Sequence, residues 1–293
     1  MSTSSRPVIR VVTAHRQREG GGFIVRRPFP SNGLPLFDPF LLIDEMGPVD
    51  YAPGEAIGAP DHPHRGFETV TYILEGEGEH EDSAGHRGFI GPGAVQWMTA
   101  GAGVVHAEMP SRRLLRDGGR MHGFQIWVNL PARDKMMPPR YQEIPASRVP
   151  EATTPDGLAK VRVIAGEALG ARAVIETRTP ILYQDWTLHP GAEVEQPVPA
   201  DFEVLAYVFG GEALVGGDRP VRDGQAALFG PGDRVRLAAS KTAAEPARLL
   251  LLGGVPLREP VARYGPFVMN TQAEIHQAFE DFRRGKMGQI ART

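Results

Sequence analysis

Two short pieces of this sequence carry metal-binding side chains at a spacing suited to strands. His62-Pro63-His64 places two imidazoles at i and i+2, and His106-Ala107-Glu108 places an imidazole and a carboxylate the same way. Side chains on a strand alternate faces, so i and i+2 project to one side, about 6.6 Å apart. Two such strands lying side by side converge three imidazoles and one carboxylate on a point. Four donors in two paired contexts read as a metal site with His62, His64, His106 and Glu108 as ligands.

Neutral imidazole and carboxylate suit iron(II), manganese, nickel, copper and zinc alike, and the spacing does not choose among them. Three His and one Glu leave one or two positions open on an octahedral ion. That is the arrangement of a catalytic or sensing centre rather than a closed structural one. Glu68, four residues after His64, is expected as a carboxylate that orients a ligating imidazole. His80, His86 and His122 fall outside the paired pattern and read as surface or hairpin residues. Trp97, Gln125 and Trp127 fall on expected strands, where they can line a cavity or fill a core.

The elements that must position these groups are short strands. Val8–Val12, Phe23–Val25 and Phe37–Met46 precede the first histidine pair. Thr69–Leu74, a hairpin over His80–His86, Ala94–Thr99, Val104–Met109 and Phe124–Leu130 follow it, with Gly and Pro turns between them. Strands every 8–12 residues indicate a sandwich or barrel. Further strands are expected over Val161–Ala165, Ala173–Thr177 and Ile181–Leu188.

An internal echo shows that the scaffold is duplicated. Val70–Glu77 resembles Leu205–Glu212, and Phe89–Gly93 resembles Leu228–Gly232. The ligands are not duplicated, because the positions matching His62 and His64 fall on Pro197 and Pro199. Near the end of the chain the period changes. Thr271 and Glu274 form a capping-box pattern, and Ile275, Ala278, Phe279 and Phe282 follow at helical spacing, with Gly285 as a stop. This helix is expected to pack its apolar stripe on a barrel.

Composition narrows the functional classes. The 293 residues, 41% hydrophobic, suffice for two domains, and 35 Gly and 27 Pro without a period fit many strands joined by tight turns. A net charge of −3 offers no field for direct nucleic-acid binding, and the absence of cysteine excludes disulfides and zinc–thiolate sites. Met1 to Arg10 lacks the apolar core of a secretory leader, and no apolar run is long enough to span a membrane. A cytoplasmic protein with no membrane association is expected.

The motifs also carry a resemblance. His62-x-His64-x3-Glu68 with Gly76, then Gly91-Pro92-Gly93 and a later histidine, is similar to the two cupin motifs. Asp61–Thr69, Gln96–Gly101, His106–Pro110, Arg258–Val261 and Gly265–Thr271 resemble the pirin family, and the likeness runs from about residue 23 to 285. The resemblance implies an all-β fold of two cupin barrels (double-stranded β-helix, or jelly-roll) with a short C-terminal helix. Its implied division is a metal-binding cupin domain over 1–130, a linker over 131–160 and a degenerate cupin domain with the terminal helix over 161–293. It implies one divalent metal, iron(II) first, held by His62, His64, His106 and Glu108.

Pirins include quercetin 2,3-dioxygenases, and the function expected from the resemblance is cleavage of a flavonol heterocycle with O2. The substrate would be a small aromatic chelator and Glu108 the catalytic proton acceptor. The alternative expectation is a redox-sensing metal protein that regulates a transcription factor or metabolic enzyme through protein contact.

Overall fold

The computed structural model describes residues 4–292, so Met1 to Thr3 of the stretch read for a leader lie outside it. Strands dominate, and they form two compact units. The unit that holds the histidine pairs contains a seven-stranded sheet in the order Arg140–Ile144, Val95–Thr99, Phe67–Glu75, Gly119–Asn129, Phe40–Tyr51, Phe23–Arg27, His15–Glu19. Its four-stranded sheet runs Ala59–His64, Val104–Pro110, Gly78–Asp82, Arg87–Ile90. Phe67–Glu75 lies inside the larger sheet, and its first seven residues are all buried. That accounts for a run of aromatic and β-branched residues in place of a simple alternation.

The second unit repeats this order. Glu203–Gly210 sits between Gln225–Phe229 and Ala247–Gly254, as Phe67–Glu75 sits between Val95–Thr99 and Gly119–Asn129. Glu193–Pro197 takes the edge position of its four-stranded sheet that Ala59–His64 takes in the first. The echo read in the sequence is therefore a repeated topology. The interior differs, because Val194, Val208, Trp186, Val235, Leu237 and Leu249 belong to one continuous apolar core. The single inward amide on the edge strand, Gln196, is tied to the carbonyls of Glu167 and Pro197.

Three expectations are corrected. The 131–160 stretch is built into the sheets: Arg140–Ile144 pairs with Val95–Thr99, and Glu151–Thr153 pairs with Ala159–Ala165. Residues 173–177 form no strand and leave Val174 44% exposed. Strand propensity there meets no free ladder to join. The strand expected from Phe37 begins at Phe40, after Pro39, and continues to Tyr51.

The units also interleave along the chain. Val8–Thr13 pairs with Gln225–Phe229 and belongs to the second unit, whereas everything from Leu257 onward belongs to the first. The helix Gln272–Arg283 thus serves the histidine-bearing unit, not the barrel that precedes it in sequence. Its capping box is formed: Thr271 Oγ1 accepts from the Glu274 N–H, and the Glu274 carboxylate accepts from the Thr271 N–H. Ile275 and Ala278 pack on Phe267, Met269 and Val105, while Phe282 remains 39% exposed. The buried place on that side of the helix is taken instead by Asp281.

Thr271→Ala removes the cap acceptor and is expected to cost about 1 kcal/mol. A urea or thermal denaturation series should show this loss, and a variant as stable as the parent would mean that the cap contributes nothing.

Candidate metal centre

The histidine pairs lie on neighbouring antiparallel strands of the four-stranded sheet. The register sets His106 opposite His62 and Val104 opposite His64, with an irregularity between His106 and Glu108. Ala59–His64 is an edge strand, which is why it can contain Pro60 and Pro63, residues with no N–H to donate. The pleat then turns all three imidazoles to one side. Their ring centroids lie 4.3 Å (His62–His106), 4.7 Å (His62–His64) and 4.9 Å (His64–His106) apart. One nitrogen from each falls within 4.8 Å of the others.

The hydrogen bonds leave these rings ready to donate lone pairs. His62 Nδ1 donates to the Pro60 carbonyl at 2.7 Å, and His64 Nδ1 donates to the Pro266 carbonyl at 3.2 Å. Each bond places the proton on Nδ1 and leaves Nε2 as a lone-pair donor. Backbone carbonyls do this orienting, while Glu68, fully buried, accepts from Thr99 Oγ1 at 2.5 Å. His106 is 1% exposed, and among the described residues neither of its ring nitrogens has a hydrogen-bond partner. A buried, unsatisfied imidazole facing two others is the pattern a metal ion completes. The donor set therefore fits a divalent transition metal.

Burial, and then the charge of neighbouring imidazoles, pushes His64 and His106 well below the ordinary imidazole value. Both are thus held neutral, the form that ligates.

Glu108 lines the same cavity but lies outside the three-imidazole cluster. Thr71 Oγ1 donates to its Oε1 at 2.7 Å, and Gln125 Nε2 donates to Oε1 and Oε2 at 3.0 and 2.9 Å. The cavity measures about 500 Å³, and its walls include Phe23, Leu42, Ile73 and Trp127. Of the residues considered from sequence, Gln125 and Trp127 line it, while Trp97 is fully buried in the core.

Of the other histidines, His80 and His122 are not at the surface. His80 is buried with its Nε2 3.4 Å from Asp82, and its ring lies 5.3 Å from that of His106. His122 is buried against Glu45 at 2.8 Å. Each is inside because a carboxylate meets it there. His86 stays partly exposed, its ring stacked on Tyr141.

Supports that single-sequence reading missed hold the turn after His64. Arg65 Nε donates to the Ala102 carbonyl, and its Nη1 meets Asp281 at 2.9 Å, which accounts for the buried acid on the terminal helix. Lys135 Nζ donates to the carbonyls of Gly66 and Val268 and to Asn129 Oδ1. Gly66 has φ +89°, and a Cβ there would meet the Val268 oxygen at 2.0 Å. Only glycine allows this turn to sit against the tail.

The repeated sheets and the imidazole cluster define a two-barrel cupin protein with one candidate metal centre. The comparisons agree with that class and extend it. The pirin family model matches residues 22–128, and the model of the pirin C-terminal cupin domain matches 183–288. A pirin-like protein of Solanum lycopersicum is 45% identical over 98% of this chain and 95% of its own length. The pirin of Homo sapiens is 44% identical over 97% and 95%. A crystal structure titled quercetin 2,3-dioxygenase, from Acinetobacter baumannii, superposes with a TM-score of 0.91 at 39% identity, covering 98% of this chain and all of that one. The chain belongs to the pirin family. Among the described residues, no helix is long and apolar enough to cross a membrane.

The depressed His64 and His106 values link stability to pH. An unfolded chain takes up protons near pH 6.5, before the folded one does, so the metal-free protein should lose stability as pH falls below about 6.5. Urea midpoints at pH 7.5 and 5.5 in the presence of a chelator check this. His106→Leu should flatten the difference; an equally steep fall in that variant would remove these imidazoles as its cause.

Proposed function

We propose that the protein is a metal-dependent dioxygenase that opens the heterocycle of a flavonol such as quercetin with O2, releasing carbon monoxide. The observation that carries this reading is the buried imidazole cluster, with both nitrogens of His106 unpartnered, at the wall of an apolar cavity. A volume of about 500 Å³ suits a flat, drug-sized ligand. The likeness to the Acinetobacter baumannii structure titled quercetin 2,3-dioxygenase supports the same assignment.

In this reading His62, His64, His106 and Glu108 hold one divalent metal, iron(II) being the first candidate. Bound there, the ion would supply a Lewis acid with open positions for a chelating substrate and for O2. The chain's own residues do the rest. An imidazole committed as a ligand has no lone pair left to act as base, whereas the Glu108 carboxylate keeps a second oxygen to take the 3-hydroxyl proton of the flavonol. Gln125 and Thr71 orient that carboxylate through three hydrogen bonds, so its position is set before substrate arrives. Phe23, Leu42, Ile73 and Trp127 provide apolar wall that keeps water from the opened ring.

His106→Ala should abolish both metal retention and flavonol turnover. Glu108→Gln should lower turnover by about 10²-fold or more. Elemental analysis of protein purified without added metal, paired with aerobic and anaerobic flavonol assays, checks both. Wild-type rates in the two variants, or a zinc-loaded protein with no aerobic turnover, would count against the reading.

A further inference from the structure

The charges around the cavity are unevenly matched. Arg27 is neutralised in place: its guanidinium meets the Asp44 carboxylate through Nε at 2.6 Å and Nη2 at 2.5 Å, and meets Glu19 at 2.8 Å. Asp61, also on the wall, is paired with Arg292. Arg263 is different. It lines the same cavity and is half-buried, yet among the described residues no carboxylate lies within ion-pair distance of it. Asp44 and Glu19 are near enough for their charge to reach it, but both are engaged by Arg27.

The donors of Arg263 are as idle as its charge. A guanidinium has five N–H groups in a rigid fork, and here a single long bond is made, from Nη1 to the Leu41 carbonyl at 3.4 Å. The plane is instead held by an aromatic face, with Cζ 4.7 Å from the centre of the Trp127 ring. Trp127 in turn meets the ligating imidazole of His64 edge-on, at 5.1 Å between ring centres. An aromatic surface therefore separates a cation that makes no ion pair among the described residues from the imidazole cluster, and all three border one cavity. A guanidinium fixed by stacking, with most of its fork free, is preorganised for a planar anion.

We propose that Arg263 is a specificity-determining residue, and that the preferred ligand of this cavity is an aromatic chelator carrying a second, anionic group remote from its chelating oxygens. A carboxylate is the group that best fits the fork. The inference rests on the reading that the cavity takes an aromatic chelator, and it adds the charge that such a ligand bears. A bare flavonol leaves Arg263 unsatisfied. The carboxylated form would satisfy it without displacing a carboxylate of the chain.

The test compares two probes that differ only in that group: 3-hydroxyflavone bearing a 4′-carboxylate and the same flavonol bearing a 4′-carboxamide. Binding is measured anaerobically on the protein as purified, by calorimetry or Trp fluorescence, so that no turnover is needed. The wild-type protein should prefer the carboxylate by about tenfold or more. Arg263→Gln should erase the preference, bringing the two probes to equal affinity, since charge-assisted bonds carry the difference. Arg263→Lys should restore part of it, with the charge kept and the fork lost.

Equal affinity for the two probes in the wild-type protein, or a preference that survives Arg263→Gln, would overturn the assignment. Failure of both probes to bind would overturn it together with the flavonol reading. An intact carboxylate preference without aerobic turnover would uphold it and reject the dioxygenase reading alone.

Discussion

The cross-strand register that sets His106 opposite His62 governs the first barrel's chemistry. With a side-chain period of two, a slip of one residue would send His62 and His64 to the face opposite His106 and disperse the cluster. The surrounding structure reads as a set of restraints on that register. Gly66 supplies the turn directly after His64, Arg65 is anchored to Ala102 and Asp281, and Lys135 ties the Gly66 carbonyl to that of Val268. These groups keep the three imidazoles in contact, with His64 and His106 buried and held neutral. A buried polar atom left without a partner costs about 1–3 kcal/mol, so His106 carries a local penalty that a bound ion would relieve.

The two barrels show how little of such a site belongs to topology. Both use the same order of strands, and an edge strand stands at the equivalent place in each. In the first that strand presents imidazoles to a cavity; in the second it presents Val194 and Gln196 to a packed interior. Filling one barrel with aliphatic side chains gives close-packed dispersion. Leaving the other partly open gives up that packing and gains space for a guest. Side chains alone make the difference.

What could be read from the sequence was whatever is local. Histidines at i and i+2, a threonine three residues before a glutamate, and Gly-Pro-Gly turns all state their geometry within a few positions. The clustering of the histidine pairs, the capped helix and most strands were therefore legible. His80 and His122 were not, although Asp82 stands only two residues from His80, because nothing in the spacing says whether a neighbour is met inside or outside. The partners of Glu108 come from strands 37 and 17 residues away in sequence, and Arg65 finds its acid 216 residues on. Such pairings follow from tertiary folding, which no local period encodes. Placing the terminal helix with the second barrel failed for the same reason.

The interleaving of the two units has a consequence for how the chain is made. Strands of the first barrel emerge early in synthesis, including both that carry the histidines. The segment that closes over His64, supplies the acid for Arg65 and packs against Val105 begins at Leu257, after every strand of the second barrel has been produced. The first barrel must therefore wait, incompletely closed, while its successor is translated and free to fold. The candidate metal centre is without these contacts throughout that interval.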